Sequence, residues 1–108
     1  MKIGDIGYIL IHEGNDNGRN TPNGLKLPFL ARMRVTSLFS GVAYGKNNAN
    51  VASGPLFPTP EEAIEYYAGL CDRVANAFHA KMQEQRAAAD RLRALKDTEI
   101  AVFDAAGA

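Results

Sequence analysis

The strongest constraint on this chain is the run of residues 60–96, which contains a single glycine and no internal proline. The run starts like a helix, because Thr59 suits the N-cap, Pro60 suits the first helical position and Glu62 completes a capping box. One straight helix of about 37 residues would be roughly 55 Å long at about 1.5 Å per residue. A domain of this size has a radius of gyration of only about 13 Å. The helix must therefore break, for which residues 79–84 are the expected place, or project beyond the rest of the domain.

Apolar residues recur along this run at alternating spacings of three and four, a pattern typical of one buried helix face. The stripe consists of Ile64, Tyr67, Cys71, Val74 and Phe78 and, after two polar positions, of Ala88, Leu92 and Leu95. The second part is thin, and a small sheet offers little surface to cover it. We therefore expect a second subunit to cover it, in a homodimer or higher oligomer joined through residues 82–96. The alternative is a two-helix hairpin that folds back within one chain.

The first half of the chain has the pattern of β-strands, most clearly at residues 29–39. Alternate positions there carry Phe29, Ala31, Met33, Val35, Ser37 and Phe39. We predict that these six face the core, because successive side chains of a strand point to opposite sides of the sheet. Arg32 and Arg34 then lie on the opposite, polar face.

Further strands are predicted at 7–13, 42–44, 50–57 and 99–103. Gly54-Pro55 places a bulge or an end in the third of these, and Ser40-Gly41 and residues 45–48 supply turns. We predict a single α+β domain in which residues 1–58 form an antiparallel meander of four to five strands. Residues 59–97 form a long or broken C-terminal helix packed on one face, and residues 98–108 form a short strand and tail.

Composition excludes several classes of protein. Twelve basic and twelve acidic residues give a formal net charge of zero, which is untypical both of a histone-like nucleic-acid binder and of an acidic DNA mimic. The single cysteine, Cys71, cannot form an internal disulfide, so we expect a cytoplasmic protein. No stretch approaches the roughly 18 consecutive apolar residues of a membrane-spanning helix, and the N-terminus does not resemble a signal peptide.

The opening loop, residues 13–28, is rich in asparagine and glycine and raises the question of a metal or phosphate site. Glu13, Asn15 and Asn17 match the first ligands of an EF-hand, but Gly24 stands where that loop needs a bidentate glutamate. A phosphate-binding P-loop requires Lys-Ser or Lys-Thr after its glycine, which this loop lacks. We interpret it as a connector that closes over a ligand and not as a metal site.

The sequence contains no recognisable catalytic constellation. His12 and His79 have no partner at a metal-ligand spacing. Cys71 lies on the apolar stripe and is predicted to be an inert thiol. We therefore predict a non-enzymatic protein without a cofactor.

The best candidates for ligand binding are cationic and amide side chains in the first half of the chain. Residues 1–58 contain six basic and three acidic residues, which gives this half a net charge of +3. The predicted ligand-binding residues are Arg19, Arg32, Arg34, Lys46, Asn47, Asn48 and Phe57. Arginine forks suit phosphate oxygens, asparagine amides suit base edges, and an aromatic ring can stack on a base. The alternative is that Arg32 and Arg34 only solubilise an exposed sheet face.

The layout of a small antiparallel sheet followed by helices that join protomers resembles the phage Thoeris anti-defence sponge proteins. The resemblance rests on RMRVTSLF (32–39), on GPLFPTPEEA (54–63) and on Arg86, Arg91 and Arg93 of the later helix. It implies a homo-oligomer that sequesters a cyclic nucleotide without cleaving it, with Phe57 as the aromatic contact. That family also uses helix arginines one turn apart, whereas no two of these three are four residues apart.

Three functions are therefore considered. The first is non-catalytic binding of a phosphate-bearing small ligand such as a cyclic nucleotide, in a phage anti-defence protein. The second is a phage-type protein–protein inhibitor or adaptor that binds a host protein through its helix stripe. The third is DNA binding by the sheet, because similar strand-to-helix junctions also occur in domains that lay a three-stranded sheet in the major groove.

Overall fold

A computed structural model describes residues 1–12, 27–45, 54–77 and 82–104. The strands are β1 (Ile6–Ile11), β2 (Phe29–Phe39), β3 (Val42–Gly45) and β4 (Val102–Asp104). The helices are α1 (Pro60–Ala77) and α2 (Met82–Ala94), and a 3₁₀ turn (Leu95–Asp97) follows α2. The predicted α+β class, with a sheet followed by C-terminal helices, is confirmed.

Strand β2 organises the sheet, because it pairs antiparallel with β1 through residues 29–34 and with β3 through residues 35–39. A bulge between Val35 and Ser37 separates these two pairings. The β2–β3 connection is a two-residue turn in which Ser40 and Gly41 have φ angles of 51° and 79°. Positive φ at both positions is the geometry of a type I′ hairpin turn, which matches the twist of the strands that it joins.

The dipeptide Leu56-Phe57 curls the sheet. Phe57 exchanges backbone hydrogen bonds with Tyr8 of β1, and the Leu56 amide donates to Ala43 of β3. Since β1 and β3 lie on opposite sides of β2, one dipeptide can reach both only if the two edges approach each other. A strand was predicted at 50–57. Residues 50–53 of it lie outside the described residues, and among the rest Leu56 and Phe57 pair with the sheet.

The final strand β4 runs parallel to β2, in the register Leu30↔Val102, Ala31↔Phe103 and Arg32↔Asp104. A short last strand was predicted at 99–103, and the observed one lies slightly later, at 102–104. Among the described strands, β1, β2 and β3 form an antiparallel meander, and β4 lies outside it. The parallel pairing arises because the chain crosses through both helices before it returns to β2.

The helices form an antiparallel hairpin. Arg93 near the end of α2 contacts Glu65 near the start of α1. Arg86 near the start of α2 contacts Asn76 near the end of α1. The break that we expected near 79–84 overlaps the interval between the two helices, of which residues 78–81 lie outside the described residues. The start of α1 is as predicted, because the Thr59 hydroxyl accepts a hydrogen bond from the Glu62 amide at 3.2 Å.

The predicted apolar stripe is covered in part. Ile64, Tyr67 and Leu92 are buried, Cys71, Ala88 and Leu95 are half-buried, and Phe78 lies outside the described residues. The buried helix residues are Ala63, Ile64, Tyr67, Ala68, Ala75, Ala89 and Leu92. The prediction was wrong for Val74, whose exposed fraction is 37%. Because Leu92 is already buried within one chain, the stripe no longer requires a second subunit, and self-association through residues 82–96 stays a prediction without that argument.

Burial along β2 changes halfway. Phe29, Leu30 and Ala31 are all buried, so both faces of the strand are covered at its start. At the other end Ser37 and Phe39 were expected in the core, yet both are exposed. Thr36 and Leu38 are exposed as well, so both faces of β2 are open where it pairs with β3. Among the described residues, no helix is both long and apolar enough to cross a membrane.

Candidate functional site

A row of four side chains crosses one face of the sheet. The register pairs Asp104 with Arg32, Arg32 with Tyr8, and Tyr8 with Phe57. Paired residues on neighbouring strands project to the same side of a sheet, so these four side chains are neighbours on one face. We call them the Arg32 row. With a spacing of about 4.8 Å between strands, the backbones of Arg32 and Phe57 are about 10 Å apart.

The row lies at the border between the core and solvent. On the same face, two residues further along their strands, Leu10 and Leu30 are fully buried. Tyr8 and Arg32 are half-buried, and Arg34, two residues on in the other direction, is exposed. Polar contacts in such a border position are stronger than in bulk water while the site stays open to a ligand.

Both arginines have contacts within the chain. The Arg32 guanidinium donates to the Asp104 carboxylate at 3.1 Å, and the Arg34 guanidinium donates to the Gly4 carbonyl at 2.9 Å. The side chains of Arg32 and Asp104 are 36% and 53% exposed, so solvent screens this ion pair. A guanidinium carries five N–H donors, and neither of these single contacts saturates it.

Phe57 is held in place by an aromatic cluster. Its ring centroid lies 4.9 Å from that of Tyr66, and Tyr66 in turn lies 5.0 Å from Tyr67 in an edge-to-face arrangement. Such pairs fix ring positions. One side of the half-buried Phe57 ring therefore rests against α1, at the end of the Arg32 row.

The structure thus brings three of the seven predicted site residues, Arg32, Arg34 and Phe57, onto one sheet face. The other four, Arg19, Lys46, Asn47 and Asn48, lie outside the described residues, as does the opening loop up to residue 26. Sequence reasoning missed Tyr8 and Tyr66. Nothing local marks Tyr8, because its place between Arg32 and Phe57 depends on strand register, and Tyr66 is adjacent to the apolar stripe but not part of it.

A second charged cluster joins the helices. Arg93 contacts Glu65 at 3.0 Å and Asp72 at 2.6 Å, and Lys96 contacts Glu65 at 2.9 Å. Hydrogen bonds from Arg93 and then Lys96 lower the pKa of Glu65 to about 2. Arg93 was a helix arginine of the sponge resemblance, but two carboxylates already bind it. We interpret this cluster as structural.

Other reactive groups give no second candidate. Burial, and after it the charge of Asp72, raises the pKa of the Cys71 thiol, which fits the predicted inert cysteine. Within the described ranges, no three His, Cys, Asp or Glu side chains are grouped so that they could hold a metal ion.

The chain matches no protein-family model, no curated protein and no solved structure. The resemblance to the sponge proteins stays a prediction.

Proposed function

We propose that this chain is a non-catalytic binding protein for a small phosphate-bearing ligand, such as a nucleotide or cyclic nucleotide, held on the Arg32 row. The observation that carries the proposal is the register that places Arg32, Tyr8 and Phe57 side by side, with Arg34 on the same face. A cation next to an aromatic ring is what a nucleotide-like ligand needs.

The chemistry of each group supports this ligand class. Guanidinium forks bind phosphate oxygens through short, charge-assisted hydrogen bonds, and Arg32 and Arg34 supply two such forks on one face. The hydroxyl of Tyr8 can donate a further hydrogen bond, and aromatic faces stack on any base. Phe57 is already fixed against Tyr66, so little side-chain entropy is lost when a base stacks on its other side.

The proposal also includes a biological role and an oligomeric state. Sequestration of a cyclic nucleotide by a cytoplasmic phage protein is the role that the sponge resemblance implies. A homo-oligomer joined through residues 82–96 would use the outer face of α2, because Leu92 is buried against the rest of the chain.

Titration calorimetry with inorganic pyrophosphate and with AMP tests the proposal. We expect Arg32→Ala with Arg34→Ala to weaken binding at least about tenfold, since hydrogen bonds to charged groups contribute about 1.5–3 kcal/mol each. The matched control is Arg73→Ala with Arg91→Ala, which removes the same charge from two exposed helix positions. Equal losses in both double variants, or no loss in the first, would show that the row is not the site.

The same variants separate the alternatives. Sheet-mediated DNA binding predicts that the wild type binds a duplex and loses affinity steeply with added salt. A protein–protein inhibitor acting through the helix stripe would have to expose stripe residues such as Tyr67 and Leu92, which are buried within the chain. The structure therefore favours the sheet face over the helix stripe as the binding surface.

A further inference from the structure

The short strand β4 brings an acidic group to the Arg32 row from the far end of the chain. The Leu30 amide donates to the Ala101 carbonyl at 2.9 Å, and half-buried Phe103 packs against the core. Val102 and Asp104 are exposed. The strand is therefore anchored by its backbone and one aromatic ring, and its last residue lies on the row.

Asp104 contacts the group that a ligand phosphate would contact. Its Oδ2 lies 3.1 Å from a terminal nitrogen of Arg32, and carboxylate and phosphate oxygens bind a guanidinium through the same N–H donors. From this geometry we infer that Asp104 is an intrinsic competitor for Arg32, so that the C-terminal strand and an anionic ligand bind this arginine in alternation. The inference rests on the proposed function of the row.

The competition is weak enough to be reversible. Both partners are more than a third exposed, and ion pairs of this kind are individually weak and screened by salt. Removing Asp104 is therefore expected to tighten anion binding by about two- to fivefold at low ionic strength. Coupling between two binding events is reciprocal, so a ligand on Arg32 also weakens the hold of the sheet on β4.

This reciprocity gives the contact a regulatory meaning. When the row is empty, Asp104 neutralises Arg32 and helps to keep β4 on the edge of β2. When an anion occupies the row, the Asp104 carboxylate loses its contact with Arg32 and the end of β4 is held by fewer contacts. The C-terminal strand thereby reports whether the site is occupied.

Pyrophosphate titrations of the wild type, Asp104→Asn and Glu99→Gln test the inference. Glu99→Gln is the matched control, because it removes the same charge from an exposed position in the same C-terminal segment. We expect Asp104→Asn to bind pyrophosphate about two- to fivefold more tightly than the wild type and Glu99→Gln to bind it like the wild type. When Arg32→Ala is added to Asp104→Asn, the gain in affinity should disappear. Equal affinities of all three proteins, or an equal gain in Glu99→Gln, would overturn it.

A measurement on the wild type needs no substitution. Hydrogen exchange of the backbone amides of β4 should accelerate when pyrophosphate is added, and unchanged or slower exchange would contradict the competition.

Different results would contradict the competition by Asp104 and the proposed function of the Arg32 row. If pyrophosphate binds both the wild type and Asp104→Asn equally and requires Arg32 and Arg34, only the competition is wrong. If it binds neither protein, the proposed function is wrong as well.

Discussion

At the residue scale, Leu56 shows how tightly the curl of the sheet is packed. A Cβ atom added at Gly7 would lie 2.7 Å from the Leu56 Cβ, and one added at Gly45 would lie 2.9 Å from the Leu56 Cδ1. Two glycines on different strands therefore let one buried leucine approach the backbone from both sides. This close approach holds the Leu56-Phe57 dipeptide, and with it the aromatic end of the Arg32 row.

Gly7→Ala is predicted to lower the free energy of unfolding by about 1–3 kcal/mol, because the new methyl group overpacks a site that side-chain rotation cannot relieve. Gly69→Ala is the control, since a Cβ there meets nothing within 4 Å. In a helix that change is expected to stabilise the protein by about 0.4–1 kcal/mol. Urea denaturation measures both, and a Gly7→Ala variant as stable as the wild type would contradict this packing.

At the element scale, the α1–α2 hairpin is joined by a covered apolar stripe and by the Glu65–Arg93 cluster. Ala68, Ala75 and Ala89 are buried there, and small side chains allow two helices to approach closely. The hairpin explains how a segment too long for a single helix in this domain is accommodated.

Leu92→Ala is predicted to lower the free energy of unfolding by about 2–4 kcal/mol, because it leaves a cavity between the helices. Leu38→Ala, at a position that is 47% exposed, should cost less than about 0.5 kcal/mol. Denaturation at two protein concentrations is the measurement. If the loss in Leu92→Ala shrinks as protein concentration rises, then Leu92 lies at a subunit contact and not inside the chain.

The Glu65 cluster predicts an acid-dependent contribution to stability. The pKa of Glu65 falls from 4.5 to about 2 on folding, so its contribution is fully present above pH 4.5 and is lost as the pH falls towards 2. Glu65 is half exposed, which keeps the effect small. We expect Glu65→Gln to lower the Tm at pH 7 by about 2–4 °C.

Thermal melts from pH 7 to pH 2 test this assignment. The Tm difference between Glu65→Gln and the wild type should be constant down to about pH 5 and then disappear. Glu61→Gln, an exposed acid in the first turn of the same helix, serves as the control for a simple change of charge. A Tm difference that is independent of pH would show that the Glu65 carboxylate is not stabilised by its partners.

Local patterns predicted much of the secondary structure. The capping residues placed the start of α1, and alternation along β2 correctly assigned its buried face from Phe29 to Val35. The predicted burial was wrong after Val35, because both faces of β2 are exposed there and alternation alone does not indicate where the cover of a strand ends. The stripe prediction was wrong at Val74, because on that turn of α1 the neighbouring Ala75 is buried and Val74 is exposed.

The candidate site was only partly predictable. Residue type and alternation identified Arg32 and Arg34, and position near the end of the sheet suggested Phe57. The placement of Tyr8 between Arg32 and Phe57, and of Asp104 on the other side of Arg32, depends on pairings between segments that are distant in sequence. Strand register over such separations is set by the whole fold, so no local pattern could supply it.

At the scale of the whole molecule, the Arg32 row lies on the curled sheet where buried side chains give way to exposed ones. Chain segments from the beginning, middle and end of the sequence meet there through β1, β2 and β4. This convergence supports the proposal that the sheet face carrying the Arg32 row is the binding surface.

The most direct test of this account follows the arginine side-chain Nε–Hε signals by NMR while pyrophosphate is added at low salt. If phosphate binds on the Arg32 row, the signals of Arg32 and Arg34 shift and saturate together, whereas those of Arg73 and Arg91 on the helices stay in place. Signals that do not move, or that all drift equally without saturation, would contradict a phosphate-binding site on the Arg32 row.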